Sequence, residues 1–296
     1  MHQAVMVHEV VENLALKPGG TVLDATLGGG GHAYEMLKGI LPGGRLIGMD
    51  QDISAIEFAK RALKGYEGSA IFINANFREL DKELEKAGVE RLSGALFDLG
   101  ISSYQLEDPE RGFGISKDSP LDMRMDKHKK LSAARVINGL SEKELADVIF
   151  KFGEERYARR IARGIAEERK GHEISTTKEL VDIVMRSLRG KYFSHRIHPA
   201  TRTFQAIRIY VNDELGALEE GLKKAIEHLE PGARVCVISF HSLEDRIVKN
   251  TFKDYAQKNI LKIITKKPLT PSADEIISNP RSRSAKLRTA ERIRDL

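Results

Sequence analysis

The chain has 296 residues, room for one large domain or two modest ones around a sizeable core. Its 41% hydrophobic and 31% charged residues exclude a disordered chain, and no apolar run approaches the ~20 residues that span a bilayer. Net charge is a modest +5, from 48 basic and 43 acidic residues, and the single cysteine, Cys236, excludes a disulfide framework or a cysteine-based metal site, which suits a reducing cytoplasm.

The first residues alternate apolar positions with His8, Glu9 and Glu12, a pattern without a secretory core. The first strand is predicted at Val22–Asp24, followed by Gly28, Gly29, Gly30 and Gly31 and a helix that starts near His32 and runs through Leu37. A second strand, Leu46–Met49, closes on Asp50. Strand, glycine loop, helix, strand and acid form the opening of a nucleotide-type α/β site. Glycine permits positive φ and close backbone approach, and the helix start offers free N–H groups to an anion. Asp50 falls where an acceptor holds a ribose diol.

Which nucleotide the loop takes is open at this point. Gly28-x-Gly30-x-x-Ala33 fits the dinucleotide fingerprint with its permitted alanine, so a nicotinamide or flavin oxidoreductase is one reading. An NTPase phosphate loop needs Gly-Lys-Ser/Thr at its close, whereas Gly31 is followed by His32 and Ala33. Asp24 discriminates between the readings. An anion just before the glycines is awkward beside a pyrophosphate and suitable beside the ammonium or sulfonium of S-adenosyl-L-methionine, as in Rossmann-like methyltransferases.

Alternation continues with a helix over Ser54–Leu63, strand Ala70–Asn74, helix Glu79–Ala87 and strand Ala95–Asp98. Short apolar strands between helices imply a parallel sheet covered on both faces, with ligands bound beyond the strand carboxyl ends. Asp24, Asp50, Asn74, Asn76 and Asp98 all fall at that edge, although each is also a common cap or turn residue.

After Asp98 the pattern breaks. Residues 99–130 are polar and irregular, and helical periodicity dominates from Ser132 to about Leu229, with a capping box at Ser141-x-x-Glu144, Thr177 ahead of an apolar helical face, and Pro199 in the first turn of a further helix. Strand pattern returns at Ala233–Ser239, and Ile260–Thr265 with the tail supplies more. The predicted organisation is a discontinuous sheet domain, 1–107 and 211–296, interrupted by a helical insert over 108–210.

The basic residues are unevenly spread. Between Ile183 and Asn212 no acid interrupts Arg186, Arg189, Lys191, Arg196, Arg202 and Arg208, and the tail gathers Arg281, Arg283, Lys286, Arg288, Arg292 and Arg294 against Glu291 and Asp295. Two such blocks suggest a polyanion partner, a solvated helix face being the plain alternative for either one.

Asp98 follows the fourth strand, where a methyltransferase faces the transferred methyl. A base amino group is a poor nucleophile because its lone pair is delocalised, so an acceptor such as the Asp98 carboxylate, or a nearby carbonyl, would align the amine and draw off proton density. In-line positioning would supply most of the acceleration. Amino-methylating enzymes commonly carry two prolines after this residue, and Leu99-Gly100 depart from that pattern. A carbon-5 cytosine methylase needs a nucleophilic thiol, and Cys236 sits inside an apolar strand. Phe77 would stack on adenine or serve the core, and Gln105 would reach the methionine end or cap a turn. His195 and His198 lack a carboxylate or thiol cluster, so no metal is expected. His241-Ser242 suggests no hydrolase.

Val5–Val10, Gly29–His32 and Asp98–Ser103, then Glu110–Phe113, Pro120–Asp126, His198–Gln205, Phe240–Arg246 and Asn279–Ser284, taken in order, resemble the signatures of the RsmH/MraW family of ribosomal small-subunit RNA cytosine-N4 methyltransferases. The resemblance covers nearly the whole chain. It implies a Rossmann-like domain with a helical insert that recognises RNA, and transfer from S-adenosyl-L-methionine to N4 of a cytidine in the decoding (P-site) region of 16S rRNA, within the small ribosomal subunit. By matched position it implies cofactor contacts at Gly30, Gly31, His32, Asp50, Phe77, Asp98 and Gln105, with Asp98 also the candidate catalytic residue. Arg111, Arg124, Arg202 and Arg208 become candidates for RNA phosphate contact. Tyr104 stands where relatives usually have proline and is left without a role. A DNA cytosine-N4 methylase, and an RNA-binding assembly factor with a vestigial site, are the neighbouring alternatives.

Overall fold

The computed structural model describes residues 4–189 and 198–294. Contacts divide the chain into two compact units: the residues up to Gly100 together with those from Leu215 onward, and Ile101–Glu214.

The first unit is built on a seven-stranded sheet: β1 (Thr21–Asp24), β2 (Arg45–Asp50), β3 (Ala70–Asn74), β4 (Leu92–Asp98), β5 (Leu229–Ser239), β6 (Leu261–Ile263) and β7 (Lys286–Arg292), in the order β3-β2-β1-β4-β5-β7-β6. β1 to β5 run parallel and β7 is antiparallel to both β5 and β6. The chain therefore winds outward in two directions from β1 and β4, and the crevice at that reversal is where such sheets take ligands. Alternate residues serve opposite faces, as the two-residue period requires. Leu23, Ala95, Phe97, Val235 and Val237 enter one core, and Val22, Leu46, Leu96, Cys236 and Ile238 enter the other. Burial on both faces explains why these strands read as unbroken apolar runs.

Helices Gly31–Ile40, Ile53–Ala62 and Leu80–Lys86 connect the parallel strands, and Glu214–His228 leads into β5. The helix Ser242–Gln257 opens with a capping box in which His241 and Glu244 satisfy each other's backbone N–H groups, so this histidine is a cap.

The second unit is helical: Ser103–Glu107, Ala133–Gly139, Glu142–Gly153, Ala158–Glu168, Thr177–Ser187 and Thr201–Asn212 around its own apolar cluster. It is wider than the predicted 108–210 at both ends. Ile101 and Leu106 pack against its core, and Glu214 pairs with Arg208. The Ser141/Glu144 capping box forms as predicted. The helix Thr177–Ser187 is capped by Thr176 with Glu179, and Pro199 lies in the turn before the helix that starts at Thr201.

Candidate functional site

The site begins where β1 ends. The Asp24 side chain is 1% exposed. Its Oδ1 accepts the Thr26 N–H at 3.2 Å, while its buried Oδ2 has no hydrogen-bond partner among the described residues. Burial, opposed by the nearby His32, pushes its pKa up to about 7. The chain then turns through the glycines: Gly28 and Gly30 have φ of 50° and 81°, the left-handed region that favours glycine. Gly30 caps the helix Gly31–Ile40, and a Cβ on it would stand 3.4 Å from Ala59. A Cβ on Gly31 would come within 2.9 Å of the Ala4 Cβ.

Asp50, at the end of β2, fixes this turn. Its Oδ2 accepts the Gly28 N–H at 2.9 Å and its Oδ1 the Asp52 N–H at 2.9 Å. The acid after the second strand thus holds the glycine loop directly, which is why loop and acid occur together. Gly48 is a second requirement that the sequence reading passed over, since a Cβ there would strike the Leu27 side chain at 2.8 Å.

Asp98, at the end of β4, donates its N–H to Thr26 Oγ1 at 2.6 Å, so Thr26 ties the ends of β1 and β4 together. Thr26 carried no expectation; a hydroxyl two residues past the acid was the available signal. Asp98 Oδ2 lies 3.5 Å from Nε2 of the buried His32, an ion-pair separation too long for a formed hydrogen bond, and Oδ1 has no hydrogen-bond partner among the described residues. Burial alone would lower the His32 pKa, but the Asp98 carboxylate, with Asp24 and Glu275 beyond it, carries the balance upward. Three titratable groups therefore converge at one strand edge with polar atoms unused by the fold: Asp24 Oδ2, Asp98 Oδ1 and both His32 ring nitrogens.

Phe77 is half-buried in the turn after β3, edge-on to Phe97 with ring centroids 5.5 Å apart, and packed over Gly221. Asn74 and Asn76 hold the chain: one donates to the Asp50 carbonyl, the other to Gln51, and Asn76 also caps the turn at Arg78. Cys236 is fully buried, 3.4 Å from Thr289 Oγ1, and burial pushes its thiol up to about 12, so it is no nucleophile at neutral pH.

The remaining expected residues belong to the second unit. Gln105 is buried and its side chain accepts the Ser102 N–H in a capping box. Arg111 departs from the expected phosphate contact. It is 2% exposed, with Nη2 donating to the carbonyls of Arg124 and Met125, because a loop without regular pairing needs donors for its carbonyls. Arg208 is likewise committed, gripping Glu214 through two bonds of 2.9 and 3.0 Å. Arg124 pairs with Asp122 and donates to the carbonyls of Lys127 and Lys129. Arg202 alone of the four is exposed, with one bond to the Glu154 carbonyl. In the tail block Arg288 grips Asp245, and buried Arg292 donates to the carbonyls of Ile226, Glu227 and Arg294. Lys191, His195, Arg196 and Asp295 lie outside the described residues.

A doubly wound sheet with a glycine turn, an acid behind it and orphaned carboxylate oxygens at the switch point defines a Rossmann-like enzyme of the methyltransferase class. The family model for the MraW methylase family matches residues 1–293, and the chain belongs to that family. Among its relatives is a protein named ribosomal RNA small subunit methyltransferase H from Clostridioides difficile (strain 630), 47% identical over 307 residues and covering 99% of both chains. Another of the same name, from Sulfurihydrogenibium azorense, is 49% identical over 292 residues, again covering 99% of both. A solved rRNA methylase from Streptococcus thermophilus aligns with a TM-score of 0.47 at 12% identity, over 97% of this chain and 96% of that one.

Proposed function

We propose that the chain transfers a methyl group from S-adenosyl-L-methionine to N4 of a cytidine in the decoding (P-site) region of 16S rRNA, within the small ribosomal subunit in the cytoplasm. The observation that carries the reading is the buried Asp24 Oδ2, without a hydrogen-bond partner among the described residues, beside a glycine turn. A buried acceptor left unsatisfied costs ~1–3 kcal/mol, more if charged, and a cationic ligand removes that cost. A dinucleotide pyrophosphate would add to it. The relatives' names support RNA of the small subunit as the acceptor.

On this reading Gly30, Gly31 and His32 would line the cofactor's methionyl end, Asp24 would face its positive charge, Asp50 would hold the ribose and Phe77 would flank the adenine. Gln105, as a cofactor contact, is carried by the family resemblance alone. When bound, the cofactor supplies an electrophilic methyl on a cationic sulfur. The acceptor base must leave its stack to reach such a pocket. Asp98 Oδ1 then accepts a hydrogen bond from the N4 amino group, which localises the nitrogen lone pair and orients it. Asp98 would take up the proton the amine releases when the methyl passes to nitrogen and its bond to sulfur breaks, leaving a neutral thioether, and His32 would offset the carboxylate charge from behind. No covalent enzyme intermediate is needed.

The test incubates the chain and labelled S-adenosyl-L-methionine with small ribosomal subunits lacking the modification, followed by nucleoside mass analysis. N4-methylcytidine is the expected product, and its absence would defeat the reading.

A further inference from the structure

We infer that the exposed face of the helix Ala158–Glu168, with Arg156, Arg159, Arg160 and Arg163, together with the neighbouring Arg202, is the surface that grips the phosphodiester backbone of the RNA substrate. The inference rests on the proposed rRNA methyltransferase reading and assigns the RNA contact to a helix face that reading does not name, Arg202 alone being carried over from the sequence candidates.

The helix separates its two chemistries sharply. Ala158, Ile161, Ala162 and Ile165 form its buried stripe, the arginines at 159, 160 and 163 follow the three- and four-residue spacing that places side chains on one opposite face, and Arg156 lies in the turn just before the helix. All four are exposed. Arg159 and Arg160 have no ion-pair partner among the described residues. Arg156 lies over the Tyr157 ring at 4.7 Å, and Arg163 stands 3.7 Å from Glu142. Three of the four acids of this segment are used elsewhere. Glu155 is buried and caps the Tyr157 N–H, Glu167 pairs with Lys170, and Glu168 with Arg186. Arg202 joins the same patch, because its Nη1 reaches the Glu154 carbonyl and its own carbonyl abuts Gly153.

Cations in the first turn of a helix oppose its dipole, so this clustering works against the helix that carries it. A polyanion reverses the balance. Arginine's planar fork matches phosphate oxygens, and a row of them along one helix tracks a backbone without reading bases. In the linear sequence Glu154, Glu155, Glu167 and Glu168 dilute this charge, whereas the helical period puts the arginines together.

The experiment measures the affinity of the full chain for a small-subunit rRNA fragment across a salt series, beside the double variant Arg159→Gln/Arg160→Gln. Neither residue enters a core, so the fold should stand, and an unchanged melting temperature verifies it. Each lost phosphate contact should lower the slope of log affinity against log salt by about 1. Charge reversal, Arg159→Glu/Arg160→Glu, should weaken binding further. An unchanged slope and affinity in both variants would overturn the inference while leaving the methyltransferase reading intact. Weakened binding to assembled subunits with unchanged binding to naked rRNA would also overturn it, because the face would then meet protein. Absence of N4-methylcytidine with the unaltered chain is the separate failure of the functional reading.

Discussion

His32 Nε2 lies 3.5 Å from Asp98 Oδ2, and neither histidine nitrogen has a hydrogen-bond partner among the described residues, so burial and charge hold the imidazole against the carboxylate. The pair sits where the fourth strand delivers its acid to the glycine turn. Asp98→Asn replaces an acceptor oxygen by an amide of the same shape. It should cut the single-turnover rate by roughly 10²–10⁴, the usual worth of a positioned acceptor, with a much smaller change in cofactor affinity. His32→Gln should cost less in rate. Rates at saturating cofactor decide the matter: if Asp98→Asn loses as much affinity as rate, the residue only binds.

Asp24 sets a pH dependence of stability. Its native pKa of about 7 stands above the ordinary 3.8, so between those values the native state keeps a proton that the unfolded chain has released. Stability therefore falls as pH rises through this window, by on the order of 4 kcal/mol in total. His32 pushes the same way: its pKa is raised, so its contribution is present below the unfolded 6.5 and lost as pH climbs through the native value. Asp24→Asn should flatten the decline in melting temperature between pH 5 and pH 8. Parallel profiles for the two proteins would show that Asp24 is not the buried titrating group.

Much of this was legible because it is local. β3 lies where predicted, and the Ser141/Glu144 box depends on residues three apart. Asp24, Asp50 and Asp98 were found together because parallel strands bring their carboxyl ends to one edge. What failed was long-range. β5 begins at Leu229 rather than Ala233, with Leu229 paired to Leu92, and β7 slots between β5 and β6. Such pairings leave no periodic trace in one segment. Arg111 and Arg208 read as surface cations because a sequence does not show which carbonyls or carboxylates arrive beside a guanidinium.

That difference makes Arg111 and Arg202 separable by experiment. Arg111→Ala would strand the buried carbonyls of Arg124 and Met125, at ~1–3 kcal/mol for each unsatisfied group, and should lower the melting temperature markedly. Arg202→Ala should leave melting unchanged and weaken RNA binding. Thermal melts of the two variants check this, and an equally stable Arg111→Ala would remove its structural role.

Gly30 combines positive φ with a neighbour, whereas Gly65, at φ 99°, has nothing within 4 Å of a Cβ. Alanine at either pays the left-handed strain of ~1–2 kcal/mol. Only Gly30→Ala adds a Cβ beside Ala59 and disturbs the turn that leads from Asp24 to His32. Both variants should lose similar stability, and only Gly30→Ala should lose cofactor binding by calorimetry. Equal cofactor affinity in both would detach the glycine turn from ligand binding.

The same Asp24 pKa makes cofactor binding a protonation event. Near pH 6.5 a carboxyl with a pKa of about 7 is mostly protonated, and a cation placed beside it favours the ionised form. Binding of S-adenosyl-L-methionine should therefore expel a proton at pH 6–7, and affinity should rise with pH up to about 7, by at most tenfold per unit. Calorimetry in two buffers of different ionisation enthalpy reads the proton directly. Asp24→Asn should abolish that release. Should the unaltered chain bind the cofactor at pH 6 with no buffer dependence, the cation would have to lie away from Asp24, and the orphaned oxygen would need another ligand.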